Sequence, residues 1–422
     1  MPNMYTKLCC TMTLMFYNMS NKMENMFSSM MMSNPKSTPL MLMTSMIILT
    51  CSINLKSSLY SDKKEKKEEM TLYMIMSILS ISVFTSTKTL SFFILFEMTM
   101  IPMTFILLFF SKEKEKVKSM MFMMATNMMF SMPFLLYITK SKMILSSSNY
   151  ETIYLMMEMN LSYVSFMIMS MMLVTKYPLM FTHMWLPKAH VEASTSGSMI
   201  LAGILLKLGT MGMEKNLLCM EMATKKVASL YKSVSVLSMV MVTIMAMRSI
   251  DLKKMAAVSS IMHMAMVMVS SMYMNTLSTE NSKILMISHG LISPLMFLSI
   301  GLLYENKKER SCLSNKSLES MSKTYSMWWF LITMSNMGIP PMSNLICEME
   351  IFFMMMSEVS TNVPVVALTM ILSSTMTMML IMKMNSMKET MKPSNTSKMS
   401  SMKLSISSSM LMTSSITANL WF

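Results

Sequence analysis

Long apolar runs alternate with short polar connections along the chain. The pattern predicts helical spans at 39–55, 70–87, 89–110, 119–139, 155–185, 195–213, 230–247, 255–274, 283–303, 325–354, 361–382 and 404–421. Crossing about 30 Å of hydrocarbon takes roughly 20 helical residues, and most of these runs are long enough. Residues 4–32 form a weaker run, interrupted by Lys22 and Glu24. Two spans hold helix breakers: Pro178 follows Lys176 in 155–185, and "GIPP" (Gly338 to Pro341) lies within 325–354. Proline removes a backbone donor, so both are expected to be interrupted helices. Such breaks near the midplane are where transporters place ion sites, and a packing kink is the alternative. The fold expected is all-α, a polytopic membrane helix bundle of about 13 spans with two broken helices.

Composition agrees. Of 422 residues, 53% are hydrophobic and 14% charged, with a mean hydropathy of +0.47. A soluble domain carries about a quarter charged residues, so a soluble enzyme is excluded. Only the connections at 305–324 and 383–403 approach loop size, and neither can hold a core of its own. The basic residues are asymmetric: alternate connections (56–69, 111–118, 186–194, 248–254, 304–324 and 383–403) hold 23 Lys and Arg, and the opposite ones hold 8. The richer set marks the inside face. Acids interleave the lysines of "SDKKEKKEEM" and "SKEKEKVK", which read as solvated membrane-edge loops and not as nucleic-acid patches.

The 75 methionines, with only Arg248 and Arg310 as arginines, point to coding bias in an AT-rich organelle gene, because Met and Leu substitute on apolar faces. "MPNMYTKLCC" has no Arg-rich presequence, consistent with organelle encoding. The six cysteines form no C-x-x-C. No dinucleotide fingerprint, Walker loop, iron–sulfur cysteine cluster or haem-type histidine pair occurs, so no redox centre is expected in this chain.

The chemistry is concentrated in a few ionisable residues inside apolar runs: Glu97, Lys176, Lys207, His263, His289 and Glu348. A charge at mid-bilayer costs about 2.5–3.5 kcal/mol even on the lenient insertion scale. Such groups must therefore face one another or a hydrated path, and a chain of them makes a proton relay. Glu97 and Lys176 are expected to approach within a few ångströms, or through one water, as a switch or as a structural ion pair. Lys207 reads as a relay lysine or a snorkelling one, and the histidines as proton carriers or hydrogen-bonded interior rings. His183 and His190 read as rim positions, and Trp185, Trp328, Trp329 and Trp421 as interface anchors.

"KYPLMFTHMWLPKAHVEASTSGSMILAGILLKLG", with "DLKKMAAVSSIMHMAMV", "ISHGLISPLMFLSIGLLYE" and "GIPPMSNLICEMEIF", closely resembles the chain 4 family of mitochondrial NADH:ubiquinone oxidoreductase, respiratory complex I. The resemblance implies an antiporter-like, proton-translocating subunit with two inverted five-helix repeats. The expected units are N-terminal spans at 1–69, with the first family helix missing, a first repeat at 70–216, a second at 228–383 and a C-terminal span at 384–422. It also implies that Glu97, Lys176, Lys207, His263, His289 and Glu348 are the family's relay residues. NADH, FMN, iron–sulfur clusters and ubiquinone would be used by the whole complex and not by this chain. The expected partners are other membrane-arm subunits, including neighbouring antiporter-like ones, and the lipid bilayer of the mitochondrial inner membrane. A multisubunit Na⁺/H⁺ antiporter subunit and a purely structural membrane subunit are the alternatives.

Overall fold

The computed structural model describes residues 37–57, 63–111, 113–145, 163–179, 182, 184–218, 225–307, 311, 323–340, 342–358 and 363–385, with Ser405 and Ser407. The weak run at 4–32 and nearly all of the 404–421 span lie outside these residues, as do His183, Pro341 and Trp421. The described residues are helical apart from turns and isolated bridges such as Asp251 with Ser311.

In chain order the helices are α1 (Thr38–Ser57), α2 (Lys63–Thr85), α3 (Thr89–Met98), α4 (Met100–Phe110), α5 (Lys116–Leu145), α6 (Tyr163–Lys176) and α7 (Trp185–Glu192). There follow α8 (Thr195–Ile200), a π-helical turn (Leu201–Leu205), α9 (Leu206–Leu218), α10 (Lys225–Arg248), α11 (Leu252–Ser271) and α12 (Thr276–Lys307). The last three are α13 (Lys323–Asn336), α14 (Ser343–Glu358) and α15 (Val363–Asn385). Among the described residues, eight segments are long and apolar enough to span a membrane. They coincide with predicted spans and mostly overrun them by a few residues.

Two differences from the sequence reading have plain causes. The charged run before residue 70 is helix, not loop, and supplies the first turns of α2, where the carboxyl of Glu69 is buried and accepts hydrogen bonds from Tyr73 and Ser196. The connection 186–194 is mostly helix too, because α7 places Trp185, Leu186, Ala189 and His190 on a buried face.

The segment 195–216 is buried throughout, and α11 and most of α12 are almost as enclosed. By contrast α5 and α10 show one open apolar face, with Met129, Leu136 and Leu237 among the exposed side chains. Small residues permit the central contacts. A Cβ at Gly209 would lie 3.2 Å from the backbone of Lys176 and Tyr177, so α9 meets the end of α6 almost backbone to backbone. Buried hydroxyls mostly turn back on their own helix, as Thr44 does to the Met41 carbonyl and Ser270 to that of Val267. Such bonds let polar residues sit in an apolar interior without an unsatisfied donor.

Candidate functional site

The first break is built by Pro178. Val174 would ordinarily accept from the residue four positions on, which here has no N–H. The carbonyl is instead met by the Thr182 hydroxyl at 3.1 Å, and that of Thr175 by the Trp185 indole N–H at 2.8 Å. Trp185 is therefore a buried cap on the break and not an interface anchor, and Trp329 is likewise buried. Lys176 ends α6, where a cation favours the carbonyl end of the helix dipole.

The second break closes on glycine. Gly338 has φ +71°, the left-handed region that a residue with a Cβ resists. Its N–H bonds the Ser335 carbonyl at 3.2 Å, and that of Ile339 bonds Met334 at 3.3 Å. This pair of bonds is the Schellman terminator, which satisfies the last carbonyls of α13. The chain turns and restarts at Ser343, one turn before Glu348.

A third irregularity was not foreseen. The π-helical turn at Leu201–Leu205 widens the ladder just before Lys207. The Lys207 ammonium, fully buried, folds back to donate to the Ala202 carbonyl at 2.7 Å. π turns recur at functional positions because they free a carbonyl in mid-helix. The run "LAGIL" carries no sequence mark of this.

From Lys207 a row of contacts crosses the bundle. Its Nζ lies 2.9 Å from His289 Nδ1, the rings of His289 and His263 have centroids 5.4 Å apart, and His263 Nδ1 lies 3.3 Å from Glu348 Oε1. All four side chains are buried. They come from α9, α12, α11 and α14, which the chain folds side by side.

Lys176 and Glu97 are near enough to interact through charge, but among the described residues they do not bond directly. The lysine donates to the carbonyl of Phe96 at 2.8 Å and lies 3.3 Å from the centroid of the Phe96 ring. Glu97 accepts from Asn127 Nδ2 at 2.5 Å instead. Lys215 offers a contrast: its ammonium caps the end of α2 through the Val83, Phe84 and Ser86 carbonyls at 3.1, 3.1 and 2.9 Å. That lysine holds structure together, whereas Lys207 faces a titratable partner.

The serines beside the row divide. Ser259, Ser260 and Ser288 return their hydroxyls to helix carbonyls, while buried Ser293 has no hydrogen-bond partner among the described residues. Sequence reasoning also missed Glu214, buried in α9 and bonded by Ser282. Its position seven residues after Lys207 was the available signal.

Two interrupted helices, one ending at buried Lys176 and one starting just before buried Glu348, with Glu348 joined to Lys207 through two histidines, define an antiporter-like membrane subunit. The chain belongs to the NADH:quinone oxidoreductase/Mrp antiporter transmembrane family, whose profile matches residues 86–377. NADH-ubiquinone oxidoreductase chain 4 of Lumbricus terrestris is 33% identical over 76% of this chain and 71% of its own length. That of Ceratitis capitata is 32% identical over 71% of this chain and 68% of its own. In fold, the chain is similar to one in respiratory complex I from Thermus thermophilus with bound NADH, at a TM-score of 0.80, 15% identity and coverage of 92% of this chain and 82% of that one. It is equally similar to one in the Mrp complex from Dietzia sp., at 0.80, 14% identity and coverage of 92% and 75%.

Proposed function

We propose that this chain is a core membrane-arm subunit of a proton-translocating NADH:ubiquinone oxidoreductase in the mitochondrial inner membrane. NADH oxidation and quinone reduction take place in other subunits. This chain converts an electrostatic or conformational pulse from its neighbour into movement of a proton from the matrix, the face of the lysine-rich connections, to the other side. The reading supposes some 13 spans and two inverted five-helix repeats, about 70–216 and 228–383, each holding one of the breaks. The names of the relatives support it, and so does the loop-charge asymmetry.

The observation that carries it is the unbroken contact from Lys207 through His289 and His263 to Glu348. Each member can hold or release a proton, and each next member is within reach directly or through one water. Lys176 and Glu97 form the input end, with the lysine held by Phe96 until the carboxylate turns toward it.

The experiment is Lys207→Met in the assembled complex. NADH oxidation linked to pumping should stop while the complex still assembles. Lys207→Arg should slow it, since arginine keeps the charge but cannot release a proton. Full coupled turnover in the Met variant would overturn the reading. A dependence of transport on sodium would favour the antiporter alternative.

A further inference from the structure

His190 lies outside the row just described. It sits in α7, between two spans, and is fully buried. Its ring stacks flat on Phe297, with centroids 4.5 Å apart and 1° between planes. Neither ring nitrogen has a hydrogen-bond partner among the described residues. An imidazole always carries at least one N–H, and leaving a buried donor or acceptor bare costs about 1–3 kcal/mol. Polar atoms of this kind are where native interiors hold water.

The register of α12 shows where such water leads. His289, Ser293 and Phe297 follow one another at intervals of four residues and so share a face, each step rising about 6 Å. His289 holds Lys207, Phe297 carries His190, and between them stands Ser293, whose buried hydroxyl has no partner among the described residues. On the other side of His190, buried Lys253 donates from Nζ to the Ala193 carbonyl at 3.0 Å, and partly exposed Glu192, whose carboxyl accepts from the Glu115 backbone N–H, marks the edge of the bundle. The charged groups that act on His190 are Lys253 on α11 and Lys207 on α9; Lys188 and Glu192 stand on its own helix, and His289 lies two such steps along α12 from Phe297. Burial first, then the charges of Lys253 and Lys207, push its imidazole down to about 3. The ring rests neutral, and any protonation is brief.

We infer that His190 is the proton-uptake residue on the lysine-rich face, passing protons from water at the Glu192–Lys253 edge through water at Ser293 to the Lys207–His289 pair. The inference rests on the relay reading above and adds the residue that supplies it. The step balances without a co-reactant. A water-borne proton forms an N–H bond on the ring nitrogen facing the edge, and the N–H bond on the other nitrogen breaks. The released proton passes to water at Ser293 and then to an unprotonated Lys207 amine or His289 ring. A flip of the imidazole restores the first tautomer. The flat stack on Phe297 makes that flip possible, because it holds the ring's plane without a directional bond.

The rival role is packing alone, and His190→Phe separates the two, since it preserves the stack and removes the nitrogens. In the assembled complex, His190→Phe should lower coupled NADH oxidation and proton uptake at least tenfold, while His190→Gln, which bonds water but cannot relay a proton, should fall with it. In His190→Ala, added imidazole should restore turnover and toluene should not. Lys207→Met is measured beside them. If Lys207→Met stops pumping while His190→Phe pumps fully, the uptake role is overturned and the relay stands. If Lys207→Met also pumps fully, both readings fall. A loss in the His190 variants that imidazole does not restore, with assembly intact, makes the residue structural and overturns the inference. If the Phe variant fails to assemble, His190→Gln decides, and full pumping by it is the overturning result.

Discussion

His263 Nδ1 stands 3.3 Å from Glu348 Oε1, close enough for an ion pair, yet neither atom takes part in an aligned hydrogen bond among the described residues. Distance alone does not make the bond, because interactions weaken steeply when donor and acceptor are misdirected. The pair is thus poised: a small turn of either side chain makes or breaks the link between α11 and α14.

Glu348→Gln should leave this contact sterically intact and remove its ability to take a proton. Loss of a positioned acid or base costs about 10²–10⁴-fold in rate. Coupled NADH oxidation in the assembled complex should fall by at least the lower figure, with subunit content unchanged. Near-normal pumping would show that the row ends before Glu348.

At the other end, Phe96→Leu removes the ring beneath the Lys176 ammonium but keeps the carbonyl that accepts from it. A desolvated cation–π contact is worth about 2 kcal/mol. The expected outcome is a lysine that moves toward Glu97, seen as a direct contact by high-resolution microscopy of the assembled complex. An unmoved ammonium would mean that the carbonyl alone holds it.

Trp185→Phe tests the first break. The indole N–H is the donor found for the Thr175 carbonyl, and a buried acceptor left bare costs about 1–3 kcal/mol. Heat-induced loss of this subunit from the complex should begin at lower temperature in the variant. Thr182→Val should do the same, through the Val174 carbonyl.

Gly290→Ala tests the packing around Lys207. The added carbon would come 2.3 Å from Met43 Sδ and 3.1 Å from Lys207 Cε. The end of a methionine side chain can swing away, but the lysine stem is held at Ala202 and His289. Turnover should therefore drop more than thermal stability, and the reverse order would place the strain elsewhere.

How legible this was depended on the kind of feature. Both breaks were readable because Pro178 and Gly338 act locally, through a missing donor and a left-handed turn. The ionisable residues stood out because each interrupts an apolar run. What a buried charge does with its nearest atoms was not readable: Glu97 and Lys176 were expected close together, directly or through one water, and they do interact through charge, yet each hydrogen-bonds a different partner, Asn127 and Phe96. A carbonyl exists at every residue, so no pattern marks the one a lysine will choose. Glu69 was hidden among the other charges of its run, and His190 looked like a rim residue because its connection is polar. The packing of α7 against α5 and α11, with the His190 ring on Phe297 of α12, encloses it.

Among the described spans the central segment 195–216 is the most enclosed, and it carries Lys207 and Glu214, charges that are costly to leave facing lipid. A nascent chain leaves the insertion machinery in sequence order, so this segment emerges before α11 and α12, which later cover it. It must be sheltered in the meantime, either by the helices already made or by an insertion factor. The features that suit Lys207 to its place in the finished protein thus make biogenesis the stage at which the subunit is most exposed to misassembly and degradation.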